Sequence, residues 1–500
     1  MPTDIQAQQG TWWHTAIILT SVMIFCITVS VLFLLPQSLR LDEAQSLWES
    51  GRSPSALLMI VAKDVHVPLY HLLLHEWRVA FGSSVAAARS LSLVFYLLSI
   101  PALYLLGRLA YSRTTGLYAA VLFGLSPFMN WYGSEIRMYT LFTLLVILNQ
   151  YFFLRIIKKN DAAAWTGYAV TAMFGIYSHY LFWVSLLAQA VFYVFHQRIF
   201  PARALLRLSV VAGLLAAVFA PWVWYVYALK EAGMQLPLLA RPTTVDLFNA
   251  FSQFLFGFQD DAINTIFVSL WPITVILAFL GLRRNGTSHY ETEYLLFTLV
   301  LSFAALFVGS LLLTPIFVSR YLIFTVPSLC LLLAHFFERY PLTLARTAQW
   351  SIAMIMVAGL VIQIQNPATP VKENYQQVAA YINTNATPQD TVILSTPFTL
   401  YPIEYYYHSP ATLVTLPIWN RYETGPIPAF SAQDLPTQVA EITNGYQEAW
   451  LVLSYDQGYE KTIKSYFDQH YQEISARHFS RGLDLYIYQL RYDTVSSAAR

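Results

Sequence analysis

The sequence predicts a polytopic α-helical membrane protein of about eleven spans, followed by a small α/β domain outside the membrane. Three observations carry that prediction. Of the 500 residues, 56% are hydrophobic and only 11% charged, with a mean hydropathy of +0.48, a balance foreign to large soluble enzymes. Apolar runs long enough to cross a hydrocarbon core of about 30 Å recur through the first 365 residues. Beyond that point the pattern changes to short amphipathic helices alternating with β-branched strands.

The first run, 15–35, is too long for a signal-peptide core. It also lacks a charged leader and a small-residue cleavage site, so it reads as a retained helix. Further spans are predicted at 85–108, 115–131, 134–155, 163–179, 180–196, 204–224, 263–282, 293–314, 320–338 and 347–365. Cations fall in every second connection: Arg108/Arg113, Arg155/Lys158/Lys159, Arg198/Arg203/Arg207, Arg283/Arg284 and Arg339/Arg346. The positive-inside bias makes those connections cytoplasmic. The N-terminus is then inside, and the C-terminus outside. The chain is thus expected in the plasma membrane, as a multi-pass protein with an extracytoplasmic C-terminal domain.

Residues 36–84 form a long external loop whose stretches Ala56–Ala62 and Leu69–Phe81 suit interfacial helices. Residues 225–262 form a second external segment. The membrane domain is read as 1–365 and the outer domain as 366–500. In the latter, a helix at Glu373–Asn383 precedes a strand at Thr391–Ser395. The pattern repeats at Gln438–Asn444 with Ala449–Ser454, and at Tyr459–His470 with Leu483–Gln489. Residues from about Tyr492 read as a disordered tail.

A net charge of +1, with no clustered basic face, argues against a nucleic-acid partner. The two cysteines, Cys26 and Cys330, lie in separate apolar runs and predict no disulfide framework.

Asp42 and Glu43 directly follow the first span. Acids are ordinary at helix starts, but two adjacent ones at a membrane exit also suit acid–base chemistry. Because neighbouring side chains do not share one task, one is expected to face a substrate while the other orients the loop. His66, in His66-Val-Pro-Leu-Tyr70, closes the same loop and could contact a phosphate or hydroxyl, and Pro68 suits an early helix position.

Tyr132–Tyr139 is a second constellation at the external start of the fourth predicted span, with Ser134 as the expected N-cap. On a helix, Glu135 and Tyr139 share a face, whereas Glu135 and Arg137 do not. Arg137 opposes both the positive-inside bias and the helix macrodipole. Arg320, followed by Tyr321 and preceded by Ser319 as a cap, repeats that anomaly. A charge at mid-bilayer costs at least about 2.5–3.5 kcal/mol on insertion scales, less near the interface. Two arginines set against both trends imply a bound anion, and helix starts with guanidinium groups make a phosphate cradle. His179 and Tyr180 form another external-edge pair. The aromatic stretch Tyr401–Tyr407, with Glu404, could border an acceptor or simply be a packed face.

Taken in order, Leu41-Asp-Glu-Ala44, His66-Val-Pro-Leu-Tyr70, Ser134-Glu-Ile-Arg-Met-Tyr139 and Arg320-Tyr-Leu322 followed by Pro327 resemble the bacterial GT-C glycosyltransferases related to family 39. These are the protein O-mannosyltransferase-like and aminoarabinose-transferase-like group. Asn374–Asp390 resembles the start of that family's outer domain. Val67 stands where relatives often carry the first proline of His-Pro-Pro.

The resemblance implies a GT-C fold and an inverting transfer from a polyprenyl-phosphate sugar to an acceptor hydroxyl on the external leaflet. It maps the family's external-loop acid onto Asp42, with Glu43 beside it, and a second acid onto Glu135. Asp42 would act as base. His66, Arg137, Tyr139, His179, Arg320 and Tyr321 would bind donor phosphate or substrate. Some relatives use a divalent cation and others do not, so a metal is left open. The implied partners are membrane lipids, a lipid-linked donor, and a glycan, lipid or protein acceptor. The rival reading is a transporter or flippase of lipid-linked saccharides. It predicts polar groups through the depth of several helices and a pseudo-repeat between halves.

Overall fold

The computed structural model describes residues 2–64, 66–229, 240–266, 269, 290–338, 340, 342–366, 371–422 and 427–490. The chain divides into two compact units, Met1–Pro36 with Ser50–Pro370 and Gln37–Glu49 with Val371–Arg500.

In the first unit, seven described helices are long and apolar enough to cross a membrane: Trp12–Leu34, Val85–Ala110, Tyr139–Lys159, Ala204–Ala228, Tyr290–Leu312, Ser319–Phe337 and Arg346–Gln365. The protein is therefore a multi-pass membrane protein. Four of the eleven predicted spans differ. Ser126 and Pro127 break 115–131 into helices Arg113–Leu125 and Pro127–Gly133, and Ser126 Oγ caps the second by accepting from Met129 N at 3.2 Å. Proline fits a first helical turn but not a helix interior. The spans at 163–179 and 180–196 appear as helices of 17 and 14 residues, Ala162–Ser178 and Phe182–Phe195. Most of 263–282 lies outside the described residues.

Two further boundaries move for local reasons. Residues 134–138 form a tight turn, so the next helix begins at Tyr139 with Met138 at its N-cap. Ser134 instead ends the preceding helix. Ser319–Thr325 is a 3₁₀ segment preceded by Val318 at the N-cap, and the α-helix Val326–Phe337 starts with Pro327 in its first turn. Neither serine therefore caps the helix expected of it.

One end of this unit gathers the cationic connections. Lys158 Nζ donates to Leu109 O at 2.7 Å and pairs with Glu291 at 2.7 Å. Ser112 Oγ donates to Glu338 at 2.9 Å, and Tyr111 stacks on His335 at 3.8 Å between ring centroids. The described segments around Arg108, Lys158, Glu291 and Glu338 thus share one end, though distant in sequence.

The Val85–Ala110 and Arg113–Leu125 helices cross at Gly107 and Gly116. A Cβ on Gly107 would stand 2.5 Å from Gly116 Cα, and one on Gly116 would stand 2.5 Å from Tyr104 O. Helices in lipid associate through such close backbone approach.

The second unit is a five-stranded mixed sheet in the order β2-β1-β3-β5-β4. The strands are β1 Asp390–Ser395, β2 Thr412–Thr415, β3 Glu448–Ser454, β4 Gln472–Ser480 and β5 Leu483–Gln489. β1 runs parallel to both β2 and β3, while β5 is antiparallel to β3 and β4. Alternate residues feed two cores. Val392, Leu394, Trp450 and Val452 pack with the Tyr375–Asn385 helix on one face. Ile393, Leu451 and Leu453 pack on the other with Val439, Ile463 and Phe467 of helices Leu435–Thr443 and Glu460–His470.

The Leu41–Ser50 helix starts on this unit. Leu39 N donates to Tyr406 Oη at 3.0 Å, and Trp48 packs edge-on against Tyr401 at 5.4 Å. The Arg421 guanidinium lies over Trp48, Tyr401 and Tyr422 and pairs with Glu404. The Tyr401–Tyr407 stretch is therefore largely a packed helix, Leu400–Tyr406.

Gly116→Val should cost about 1–3 kcal/mol, because the added methyl groups meet backbone that cannot yield. A lower thermal midpoint in detergent, with the helical circular-dichroism signal retained before melting, is the expected result.

Candidate functional site

Away from the cationic rim, the described residues bring together side chains from four separated connections of the first unit. His66 precedes the Leu69–Phe81 helix, Arg137 lies in the turn before Tyr139, His179 separates helices Ala162–Ser178 and Phe182–Phe195, and Arg320 opens the 3₁₀ segment. The Tyr139–Lys159 helix, about 31 Å long at 1.5 Å per residue, separates this end from the rim at Lys158.

The central contact is a hydrogen bond of 2.7 Å from Arg137 Nη2 to His66 Nε2. Guanidinium only donates, so Nε2 accepts and the imidazole proton sits on Nδ1. Both side chains are buried. Burial holds the His66 pKa well below the ordinary histidine value, with the positive charge of Arg137 the next cause and His71, His179 and Arg320 adding to it. His66 is therefore neutral, and its Nε2, which accepts from Arg137, makes neither an ion pair nor a hydrogen bond with Asp64 Oδ2, 3.7 Å away. The ring of His71 stacks on His66 at 5.8 Å.

His179 is set by its own backbone. Its Nδ1 accepts from Leu181 N at 3.1 Å, which places the ring proton on Nε2. The ring stacks on Phe142 at 4.7 Å and meets Tyr321 edge-on at 5.9 Å and Tyr139 at 6.4 Å. Burial, then Arg137, pushes the His179 pKa down to about 3. Arg320 lies over the ring of Tyr321 at 5.7 Å.

Ser92 fixes the turn that carries Arg137. Its hydroxyl donates to Arg137 O at 3.2 Å and pairs with Tyr70 Oη at 2.8 Å, while Thr140 Oγ1 donates to Ser92 O at 2.9 Å. Glu135 is buried in the same turn, and its carbonyl accepts from Arg137 N at 2.7 Å. The expected four-residue helical spacing of Glu135 and Tyr139 does not occur, because no helix runs through 134–138.

Asp42 and Glu43 belong to the second unit, where their tasks divide. Glu43 is buried, and its Oε2 accepts from Arg40 N at 3.0 Å. That is the backward half of a capping box, so this carboxylate serves the helix start. Asp42 is half-buried, and its carbonyl accepts from Ser46 Oγ. Glu373 lies near both acids. Its carboxyl is raised above the usual range by burial, opposed by Arg40 and reinforced by Asp42 and Glu43. Among the described residues, no group of three or more His, Cys, Asp or Glu is arranged to hold a metal ion.

Asp64, His71, Ser92 and Glu373 were passed over in the sequence. Asp64 had a usable signal, an acid two residues before His66 in an otherwise apolar stretch. Ser92 had none, since a serine inside a span is unremarkable.

Residues 65–225 match the family model described as dolichyl-phosphate-mannose-protein mannosyltransferase. The match includes His66, Glu135, Arg137, Tyr139 and His179 but not Asp42 or Arg320. No curated protein matches the sequence. ArnT from Cupriavidus metallidurans in the apo state is 12% identical with a TM-score of 0.62, over 96% of this chain and 98% of that one. The same protein bound to undecaprenyl phosphate gives 13% and 0.61, over 95% and 98%. The apo oligosaccharyltransferase of Archaeoglobus fulgidus gives 12% and 0.52, over 87% and 69%. At such identities the fold is what is shared. The resemblance to GT-C glycosyltransferases read from the motifs is borne out by the family match and by this fold.

The depressed histidine sets a pH dependence. The unfolded chain takes up a proton on His179 near pH 6.5, whereas the folded chain takes it up only near 3. Stability should therefore fall as pH drops from about 7 towards 4. Thermal midpoints across that range should show the decline, and His179→Gln should flatten part of it.

Proposed function

We propose that the protein is a membrane glycosyltransferase that moves a sugar from a polyprenyl-phosphate donor to an acceptor hydroxyl on the extracytoplasmic side of the plasma membrane, with inversion. The observation that carries this reading is the buried Arg137–His66 contact, with Arg320 close enough for its charge to act on the same imidazole. Two guanidinium groups beside imidazoles held neutral form a positive site that is not cancelled by histidine and suits a phosphate. Support also comes from the family match over 65–225 and from the neighbour of similar fold that was seen with undecaprenyl phosphate.

In this reading the acceptor oxygen attacks the anomeric carbon from the face opposite the phosphate. Its proton passes to Asp42, the carbon–oxygen bond to phosphate breaks, and polyprenyl phosphate leaves with the bonding pair. Arg137 and Arg320 stabilise the charge that gathers on the departing oxygens. His66 keeps Arg137 oriented by accepting one of its N–H groups. Phosphate is already a good leaving group, so the step requires no strong general acid. The assignment of Asp42 as base rests on the Leu41–Ala44 motif, supported by the commitment of Glu43 to the helix start. Tyr139, His179 and Tyr321, joined by ring contacts, are placed as the wall beside the phosphate. Glu135 is placed as the second acid by its motif. The sugar is a hexose or pentose, and the acceptor a glycan, lipid or protein.

Asp42→Asn should lower transfer by about 10²–10⁴-fold while leaving donor binding near the wild-type value. A radiolabelled lipid-linked donor in proteoliposomes provides both readings, and wild-type turnover would remove Asp42 from the role of base. Arg320→Ala should weaken donor binding by about tenfold or more, the loss expected for one charge-assisted hydrogen bond. Unchanged affinity would exclude a phosphate contact there.

A further inference from the structure

A groove of about 520 Å³ opens at the cation-rich end of the first unit, lined by Asn160, Trp165, Leu206, Arg207, Val210 and Val211 among others. It lies between the Ala162–Ser178 and Ala204–Ala228 helices, far along the Tyr139–Lys159 helix from His66 and Arg137. Nothing in the proposed transfer uses it.

Its polar end is built by a turn. Asn160 adopts a left-handed conformation, φ 49°, where the Tyr139–Lys159 helix stops. Its Oδ1 accepts from Trp165 Nε1 at 2.9 Å and from Arg207 Nη1 at 3.2 Å. The Arg207 guanidinium lies over the Trp165 ring at 5.3 Å. The bond to Asn160 is the only hydrogen bond of the Arg207 guanidinium among the described residues, and a guanidinium has five donors. The remaining donors are exposed at the mouth of the groove.

The surroundings carry excess positive charge. Asp161 is taken up by Arg155 at 2.7 Å and Glu291 by Lys158 at 2.7 Å. Among the described residues, Lys159, Arg203 and Arg207 have no such carboxylate. The wall below the guanidinium is apolar and open, with Leu206 62% and Val210 64% exposed. An oriented cation with an indole at the membrane interface, above an apolar trough, suits an anion that carries an acyl chain.

We propose that this groove binds one anionic glycerophospholipid, with its phosphate on Arg207 and one acyl chain along Leu206, Val210 and Val211. Basic pockets between spanning helices bind acidic headgroups for the reasons seen here, charge complementarity and an apolar path for the chain.

The test uses the full chain in nanodiscs with phosphatidylglycerol bearing a photoactivatable acyl chain. Adducts should map to 206–211 and 162–166. Unlabelled phosphatidylglycerol should compete about tenfold better than phosphatidylcholine. Arg207→Gln should cut labelling by about tenfold, the loss of one charge-assisted contact. Val210→Trp, at an exposed position that leaves the interior untouched, should block the chain path and lower labelling with Arg207 intact. Equal competition by phosphatidylcholine, or wild-type labelling in both variants, would overturn the proposal. Stronger competition by a short-chain polyprenyl phosphate would also overturn it and assign the groove to the donor lipid.

Discussion

The hydrogen bond between Arg137 and His66 is the constraint on which the candidate site depends. A buried guanidinium is tolerable only where its N–H groups find acceptors. A neutral imidazole accepts without cancelling the charge, whereas a carboxylate in its place would pair with the arginine and weaken its hold on an incoming anion. Keeping the imidazole neutral needs burial and nearby positive charge; the packed surroundings supply the first and Arg137 and Arg320 the second. Cation and acceptor therefore maintain each other's state.

The surrounding fold can be understood as the means of holding that pair. Arg137 sits in a turn rather than a helix, and a turn has few internal bonds to fix it. Ser92, from the middle of another helix, binds its carbonyl, and Tyr70 and Thr140 hold Ser92. Helices Val85–Ala110, Tyr139–Lys159 and Leu69–Phe81 thus converge on one peptide group. At the other end of the Val85–Ala110 helix, Gly107 and Gly116 let two backbones touch.

Much of this was legible in the sequence. Long apolar runs and alternating cationic connections gave the membrane class, and Arg137 and Arg320 stood out because they opposed the charge trend. Boundaries were less legible. The run 115–131 is apolar throughout, so hydropathy hid a break that Ser126-Pro127 encodes. The turn at 134–138 was hidden because its backbone is held by Ser92, a tertiary contact without a local signal. In the second unit, β1, β3 and β5 announced themselves as short, largely apolar runs, whereas β4 did not. Gln472–Ser480 is exposed along most of its length, and its polar side chains protect a sheet edge at the expense of any apolar alternation. The separate roles of Asp42 and Glu43 could be anticipated as a division of labour. That Glu43 is the acid tied to the helix start depended on the Arg40 amide.

The Leu41–Ser50 helix lies far ahead in the chain of the Leu400–Tyr406 helix and the Arg421 loop on which it packs. Its entry is held by Tyr406, and its far end by Tyr401 and Arg421. The carboxyl-terminal domain is consequently no detachable appendage that descent could exchange or shed as a module. A chain ending near 370 would retain the acidic motif as letters but lose the platform that gives it a shape. Substitutions in that late segment are therefore expected to co-vary with those at the very start of the gene.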